Sequence, residues 1–167
     1  MKYMEAGIED CERIYALVQE TIKTVYPKYY PREVVDFFKN LHSMDGIRQD
    51  IEDRTVTLLY EKEMLIGTGT CKGNHITRVF VPPAYQRQGY GGQIMQYLEE
   101  KAAAQYHTVC LDASLPACQF YERRGYVTLR HETVDCENDV VLVYGIMEKK
   151  LAGEEKQVLS GTNEILW

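Results

Sequence analysis

The residues of clearest chemical potential are Arg87-Gln88-Gly89-Tyr90-Gly91-Gly92, which follow Val79-Phe80-Val81-Pro82-Pro83 and lead at once into Gln93-Ile94-Met95-Gln96-Tyr97-Leu98. Three glycines in four positions leave backbone N–H groups unshielded where a helix begins, and the donors of a first helical turn have no partners of their own. Arg87 adds a fixed positive charge. The stretch therefore suits an anion, and a phosphate or pyrophosphate fits it better than a carboxylate. It has neither the Lys-Ser or Lys-Thr of a Walker loop nor the spacing Gly-x-Gly-x-x-Gly. A glycine cluster alone is also the composition of a tight turn, so a second signal is needed.

Holding such a loop takes a strand before it and a helix after it. β-branched and aromatic residues from His75 to Val81 predict the strand, and the double proline stops its pairing. Ile94, Met95, Leu98 and Ala102 fall on one face of the following helix, with Gln93, Gln96, Glu99 and Glu100 on the other. Upstream, Thr55–Tyr60 and Met64–Cys71 flank Glu61-Lys62-Glu63 as a hairpin, and Lys72-Gly73-Asn74 turns the chain into His75–Val81, giving an antiparallel meander of three strands. Residues 2–6 predict a short strand. Ile8, Cys11, Ile14, Tyr15, Val18, Ile22 and Val25 predict a helix that ends near Pro27. Tyr26-Pro27-Lys28-Tyr29-Tyr30-Pro31 is a connector stiffened by its prolines. A second helix follows, with Pro31 in its first turn and Val34, Val35, Phe38 and Leu41 on one face, and then a short turn or helix over residues 47–53. Further on come a short strand at Thr108–Ala113, a helix at Ala117–Arg124 closed by Gly125 in a left-handed cap, and a hairpin of Tyr126–Glu132 with Val140–Glu148. The tail, 151–167, begins polar and ends apolar, and is expected to be mobile or loosely docked.

The second signal is the spacing Gln86-x-x-Gly89-x-Gly91, which resembles the acyl-CoA pyrophosphate loop of the GNAT N-acetyltransferase superfamily. The likeness continues through Leu111-Asp112-Ala113-Ser114-Leu115-Pro116-Ala117-Cys118-Gln119-Phe120-Tyr121-Glu122-Arg123-Arg124-Gly125-Tyr126, which resembles that family's strand, its Asn-x-x-Ala-x-x-Phe-Tyr-Glu and its Gly-aromatic pair. It covers roughly residues 1–150. The resemblance implies a single α/β (α+β) domain over 1–150, with a mixed, mostly antiparallel sheet of six to seven strands flanked by about four helices. It implies acetyl-CoA as co-substrate and no metal. The pantetheine arm would pair with the strand at Val79, Phe80 and Val81, and the pyrophosphate would rest on Arg87, Gln88, Gly89, Tyr90, Gly91 and Gly92.

Tyr121 matches the family tyrosine that gives a proton to the departing thiolate, a role within reach of a phenol of pKa about 10. Its other reading is a packing aromatic beside Phe120. Ser114 stands where the family commonly has a cofactor-contacting Asn, a departure that puts the contact in doubt because serine reaches less far. Of the two positions where family members carry a basic glutamate, one falls on Val109 and the other on His75, so His75 is the titratable candidate for general base. Glu61, Glu63, His42 and water alone stay open. Tyr29 and Tyr30 lie where the family borders its acceptor pocket; otherwise they cover the edge of the core.

Composition agrees with this reading. At 167 residues, 45% hydrophobic and 26% charged, the chain is a one-domain globular protein. A net charge of −6 argues against nucleic-acid binding; it is first an ordinary device for solubility and could also favour a cationic acceptor. Five scattered cysteines without a Cys-x-x-Cys point away from a disulfide framework or zinc site and toward a reducing compartment, the cytoplasm. No apolar run approaches the ~18 residues of a membrane span. The expected activity is acetyl transfer from acetyl-CoA to an amine of a small molecule or peptide, by direct attack in a ternary complex. The alternative is a non-catalytic acyl-CoA-binding sensor or interaction module. Neither nucleic acid nor membrane is an expected partner, and a homodimer stays open.

Overall fold

The meander expected before the glycine loop forms β2 (Val56–Glu61), β3 (Met64–Lys72) and β4 (His75–Phe80) in the computed structural model, which describes residues 1–152. β1 (Lys2–Glu5) pairs antiparallel with β2, while β5 (Thr108–Ser114), β6 (Val127–Asp135) and β7 (Val141–Lys150) complete a seven-stranded sheet in the order β1-β2-β3-β4-β5-β7-β6. Every neighbouring pair is antiparallel except β4 with β5. The helices are α1 (Cys11–Val25), α2 (Arg32–Leu41), α3 (Met44–Glu52), α4 (Tyr90–Ala103) and α5 (Leu115–Glu122). The fold is thus the expected mixed, mostly antiparallel one, with the short element after α2 realised as the nine-residue α3. The tail from residue 153 onward lies outside the described residues.

Side chains alternate across a strand, and both faces of the sheet are covered around β2 and β3. Leu59 and Ile66 pack with Ile94, Met95 and Leu98 of α4 on one face, whereas Leu58 and Val56 pack with Ile14, Val18 and Ile22 of α1 and Ile47 of α3 on the other. α4 sits close to β3 because Gly67 and Gly69 lie beneath it: a Cβ on either would come within 2.6 and 2.7 Å of Ile94 Cδ1 and Leu98 Cδ1 respectively. That contact fixes the height at which the head of α4 emerges above the sheet.

One residue departs from the pattern of its helix. Glu99, expected on the outer face of α4, stands one turn after Met95 at the edge of the apolar face and is only 7% exposed. Its carboxylate accepts hydrogen bonds from Arg124 Nη2 at 3.2 Å, Tyr126 Oη at 3.1 Å and Lys149 Nζ at 2.7 Å. Two cations and a hydroxyl explain the inward turn, since a buried charge is tolerated where it is paired. Among the described residues no helix is long and apolar enough to cross a membrane.

Candidate active site

β4 and β5 run parallel and share one register pair, His75 with Cys110, where the Cys110 amide donates to the Asn74 carbonyl at 2.9 Å. Past that point the strands part. The cause is visible in the β3 register: Thr70 faces Thr77 and Thr68 faces Phe80, so β4 takes three steps where β3 takes two. Such a bulge bends the strand that carries the extra residue. A cavity of about 490 Å³ opens in the gap, walled by Arg78, Val79 and Phe80 from β4, Asp112 and Ser114 from β5, and Tyr121 from α5.

The glycine loop lies between the end of β4 and α4. Gln86 Nε2 donates to the Val81 carbonyl at 2.9 Å and ties the loop back to the strand it leaves. Gly89 caps α4 at φ +87°, a left-handed conformation that favours glycine, and Arg87 just before it has φ +61°. The Gly89 carbonyl accepts from Gln93 N at 3.1 Å, and no side chain caps the helix. The amides of Tyr90, Gly91 and Gly92 therefore belong to the first turn, whose donors the helix itself does not satisfy. A Cβ on Gly89 would meet nothing within 4 Å, whereas one on Gly91 would lie 3.8 Å from Phe120 and one on Gly92 3.4 Å from Arg124 Nη1, so the loop is open at Gly89. Arg87 and Gln88 are exposed beside it.

α5 presents the candidate acid. Its end is fixed by Gly125 at φ +90°, with Gly125 N donating to the Glu122 carbonyl at 2.9 Å and Tyr126 N to the Tyr121 carbonyl at 3.1 Å, the pairing of a Schellman cap. The Tyr121 ring lies 5.1 Å from that of Phe120 and 5.7 Å from that of Tyr126. Burial, reinforced by Cys118 and opposed by Arg124, pushes the Tyr121 phenol up to about 12, so it stays protonated at working pH. Ser114 is the N-cap residue of α5, but its side chain makes no capping hydrogen bond and it lines the same cavity.

Another wall of the cavity is built from the α1–α2 connector and α2. Tyr26 and Phe38 line the cavity and meet edge to face at 4.9 Å. Tyr30 packs against Phe38 at 5.7 Å, and its buried hydroxyl faces the start of α5 without completing a hydrogen bond. Tyr29 is 58% exposed, and neither Tyr29 nor Tyr30 is on the cavity wall, where Tyr26 stands instead. His75 stands at the last paired position, with Nε2 3.7 Å from Asp112 Oδ1; Asp112, not His75, faces the cavity. Of the other candidate bases, Glu61 accepts from Tyr90 Oη at 2.8 Å and Glu63 is exposed. His42 lines the cavity, where burial and then the charge of Arg78 push its imidazole down to about 4 and leave it neutral.

A polar group that no spacing announced forms part of this wall. Arg78 donates through Nε to His42 Nδ1 at 3.2 Å and through Nη1 to the carboxylate of Asp50, which also pairs with Lys72. The one local sign of it is Asp50 itself, a carboxylate between Ile47 and Ile51 on the buried face of α3.

Comparison with known proteins agrees with this geometry. The acetyltransferase (GNAT) domain pattern matches residues 25–150. Among solved structures, a GCN5-related N-acetyltransferase from Rhodopseudomonas palustris superposes with a TM-score of 0.82 at 23% identity, over 90% of this chain and 95% of that one. PaiA N-acetyltransferase from Thermoplasma acidophilum in complex with coenzyme A gives 0.67 at 18% identity, over 89% and 98%. The ribosomal-protein-S18-alanine N-acetyltransferase of Escherichia coli gives 0.68 at 17% identity, over 92% and 97%. No curated protein sequence matches the chain. With the family pattern running from the end of α1 to the end of β7, and the glycine loop, the parted strands and α5 all inside it, the chain belongs to the GNAT acetyltransferase family.

Proposed function

We propose that the protein transfers an acetyl group from acetyl-CoA to an amine of a small molecule or peptide by direct attack in a ternary complex. The observation that carries this reading is the parting of β4 from β5, with an uncapped helix N-terminus on one side of the gap and a protonated phenol in its wall. The free edge of β4 would pair with the amides of a pantetheine arm as a sheet edge pairs with an added strand. The first-turn amides of α4 and Arg87 would hold the pyrophosphate. The fold shared with the CoA-bound PaiA structure supports the choice of cofactor.

Within this frame each group has a task. Backbone N–H groups of Val79, Phe80 and Val81 polarise the thioester carbonyl, as donors aimed at a developing oxyanion do. The acceptor nitrogen forms the new bond to carbon as the carbon–sulfur bond breaks, and Tyr121 donates to the sulfur that leaves. The proton shed by the nitrogen passes through Asp112 to His75, or to water. Holding both substrates side by side supplies much of the acceleration. Ser114 in place of asparagine is the feature that favours a non-catalytic acyl-CoA-binding module instead; Tyr121 on the cavity wall favours the enzyme. Five unpaired cysteines fit a reducing compartment, and we place the protein in the cytoplasm.

The test is release of free thiol from acetyl-CoA against a panel of amines, polyamines, amino acids and peptides. Turnover with one class and not the others identifies the acceptor. Tight acetyl-CoA binding without thiol release on any acceptor would leave the binding module.

A further inference from the structure

Arg78 stands in β4 one residue before the proposed thioester donors, with its backbone in the left-handed region at φ +49°. A residue with a Cβ adopts that conformation at a cost and keeps it only where its surroundings dictate it. The surroundings here are the partners of its own side chain. The guanidinium is 13% exposed, bonded through Nη1 to Asp50 and through Nε to His42 Nδ1 at 3.2 Å. Asp50, 2% exposed, also takes Lys72 of β3, so two cations balance one buried carboxylate. α3 leaves room for the head group, since a Cβ on Gly46 would come 3.2 Å from Arg78 Nη2. His42 follows α2, and its ring meets that of Phe80 edge-on at 5.2 Å. One side chain thus ties α2, α3 and β3 to the bulge of β4.

We propose that Arg78 is a positioning residue for the acyl donor: anchored on Asp50 and His42, it holds the β4 bulge in the shape that aims the next backbone N–H groups at the thioester carbonyl. This rests on the acetyl transfer proposed above. Without the anchor, β4 can relax toward regular pairing with β3, and a slip of one residue in a strand turns each following group to the opposite face. Phe80, buried among α1 and α3, and the amides beside it would then point the wrong way.

The test compares CoA with acetyl-CoA by calorimetry, because the two differ only in the group whose carbonyl the bulge is proposed to hold. Wild-type protein is expected to bind acetyl-CoA about 2- to 10-fold more tightly, the net worth of one hydrogen bond. Arg78→Gly removes the anchors while accepting φ +49° without strain; its acetyl preference is expected to vanish, acetyl-CoA losing more affinity than CoA, and kcat is expected to fall by about 10-fold or more. Arg78→Lys can reach Asp50 but cannot donate to His42 at the same time, and should fall between. A merely structural role lowers the melting temperature and weakens both ligands alike, leaving the ratio intact. An intact ratio in folded Arg78→Gly overturns the proposal; if that variant does not fold, an intact ratio in Arg78→Lys does so. Wild-type protein that binds both ligands equally overturns it too and leaves acetyl transfer standing, whereas protein that binds neither overturns both.

Discussion

Tyr121→Phe removes one hydroxyl from the cavity wall and keeps the ring that packs against Phe120 and Tyr126. Its effect can be sized from the phenol's surroundings. Burial sets the Tyr121 pKa at about 12, against about 8.5 for an ordinary thiol, so complete proton transfer to a solvated thiolate is uphill by roughly 5 kcal/mol. The tyrosine then helps chiefly as a hydrogen-bond donor to charge growing on sulfur, worth about 1.5–3 kcal/mol. That corresponds to about a 10- to 150-fold fall in kcat, less than the largest general-acid effects. The hydroxyl makes no hydrogen bond among the described residues, so its loss should leave CoA affinity unchanged and the melting temperature within about 3 °C. A group needed in its protonated form and titrating near 12 also predicts no loss of kcat from this source as pH rises to about 10. Thiol release, calorimetry and thermal unfolding on one preparation check all of this. Full turnover at saturating acetyl-CoA would refute the acid role, and a melting point many degrees lower with an unchanged rate would assign Tyr121 to packing.

Gly89→Val places a β-branched residue at φ +87°, which costs about 1–3 kcal/mol of backbone strain; it should fray the head of α4 and weaken CoA binding at least about 10-fold, and wild-type affinity in a folded variant would remove the loop from the site. His75→Ala should slow turnover chiefly below the acceptor amine's own pKa, where the proton must be taken away; an unaltered pH–rate profile leaves water as the base. His42, held down at about 4 by burial and the Arg78 charge, is protonated first in the unfolded chain as pH falls. It therefore contributes stability that is full above about 6.5 and is lost toward pH 4, about 3 kcal/mol in all. Urea unfolding at pH 7 and pH 4.5 should show that loss in the wild type and not in His42→Gln; equal acid losses in the two proteins would disprove it.

The loop from β4 to α4 was readable because its determinants are local: two prolines stop a strand, glycines free the amides and an apolar face starts the helix, all within about twenty-five residues of chain. Gly125 closing α5 is local in the same way. The cluster at His42, Asp50, Lys72 and Arg78 is not, since its members come from four parts of the chain and meet only through the packing of α2 and α3 on the sheet. The bulge at Arg78 was hidden for a related reason: no glycine marks it, and the side chain's distant partners hold the backbone there. Which tyrosine of the α1–α2 connector reaches the cavity depends on the single 3-10 turn over Tyr26–Lys28 and on the edge of Phe38, neither of which a run of tyrosines and prolines specifies. Glu99 reads as polar surface by its residue type, although it stands one turn after Met95, and the partners that let its charge be buried lie 25 to 50 residues away.

Those partners give Glu99 a further consequence. It sits in the third turn of α4, whose first turn is the proposed phosphate cradle, and it is bonded to Arg124 just beyond α5, which carries Tyr121, and to Lys149 on β7. The two helices are pinned to each other, so the span from cradle to phenol is fixed by the protein and not by the ligand. In the proposed reaction that span would act as a ruler for the arm of the acyl carrier. A carrier with the same diphosphate but a shorter or longer arm would seat its anionic end fully and still set its carbonyl off the mark at Val79 to Val81, becoming an inhibitor where the matching length is a substrate.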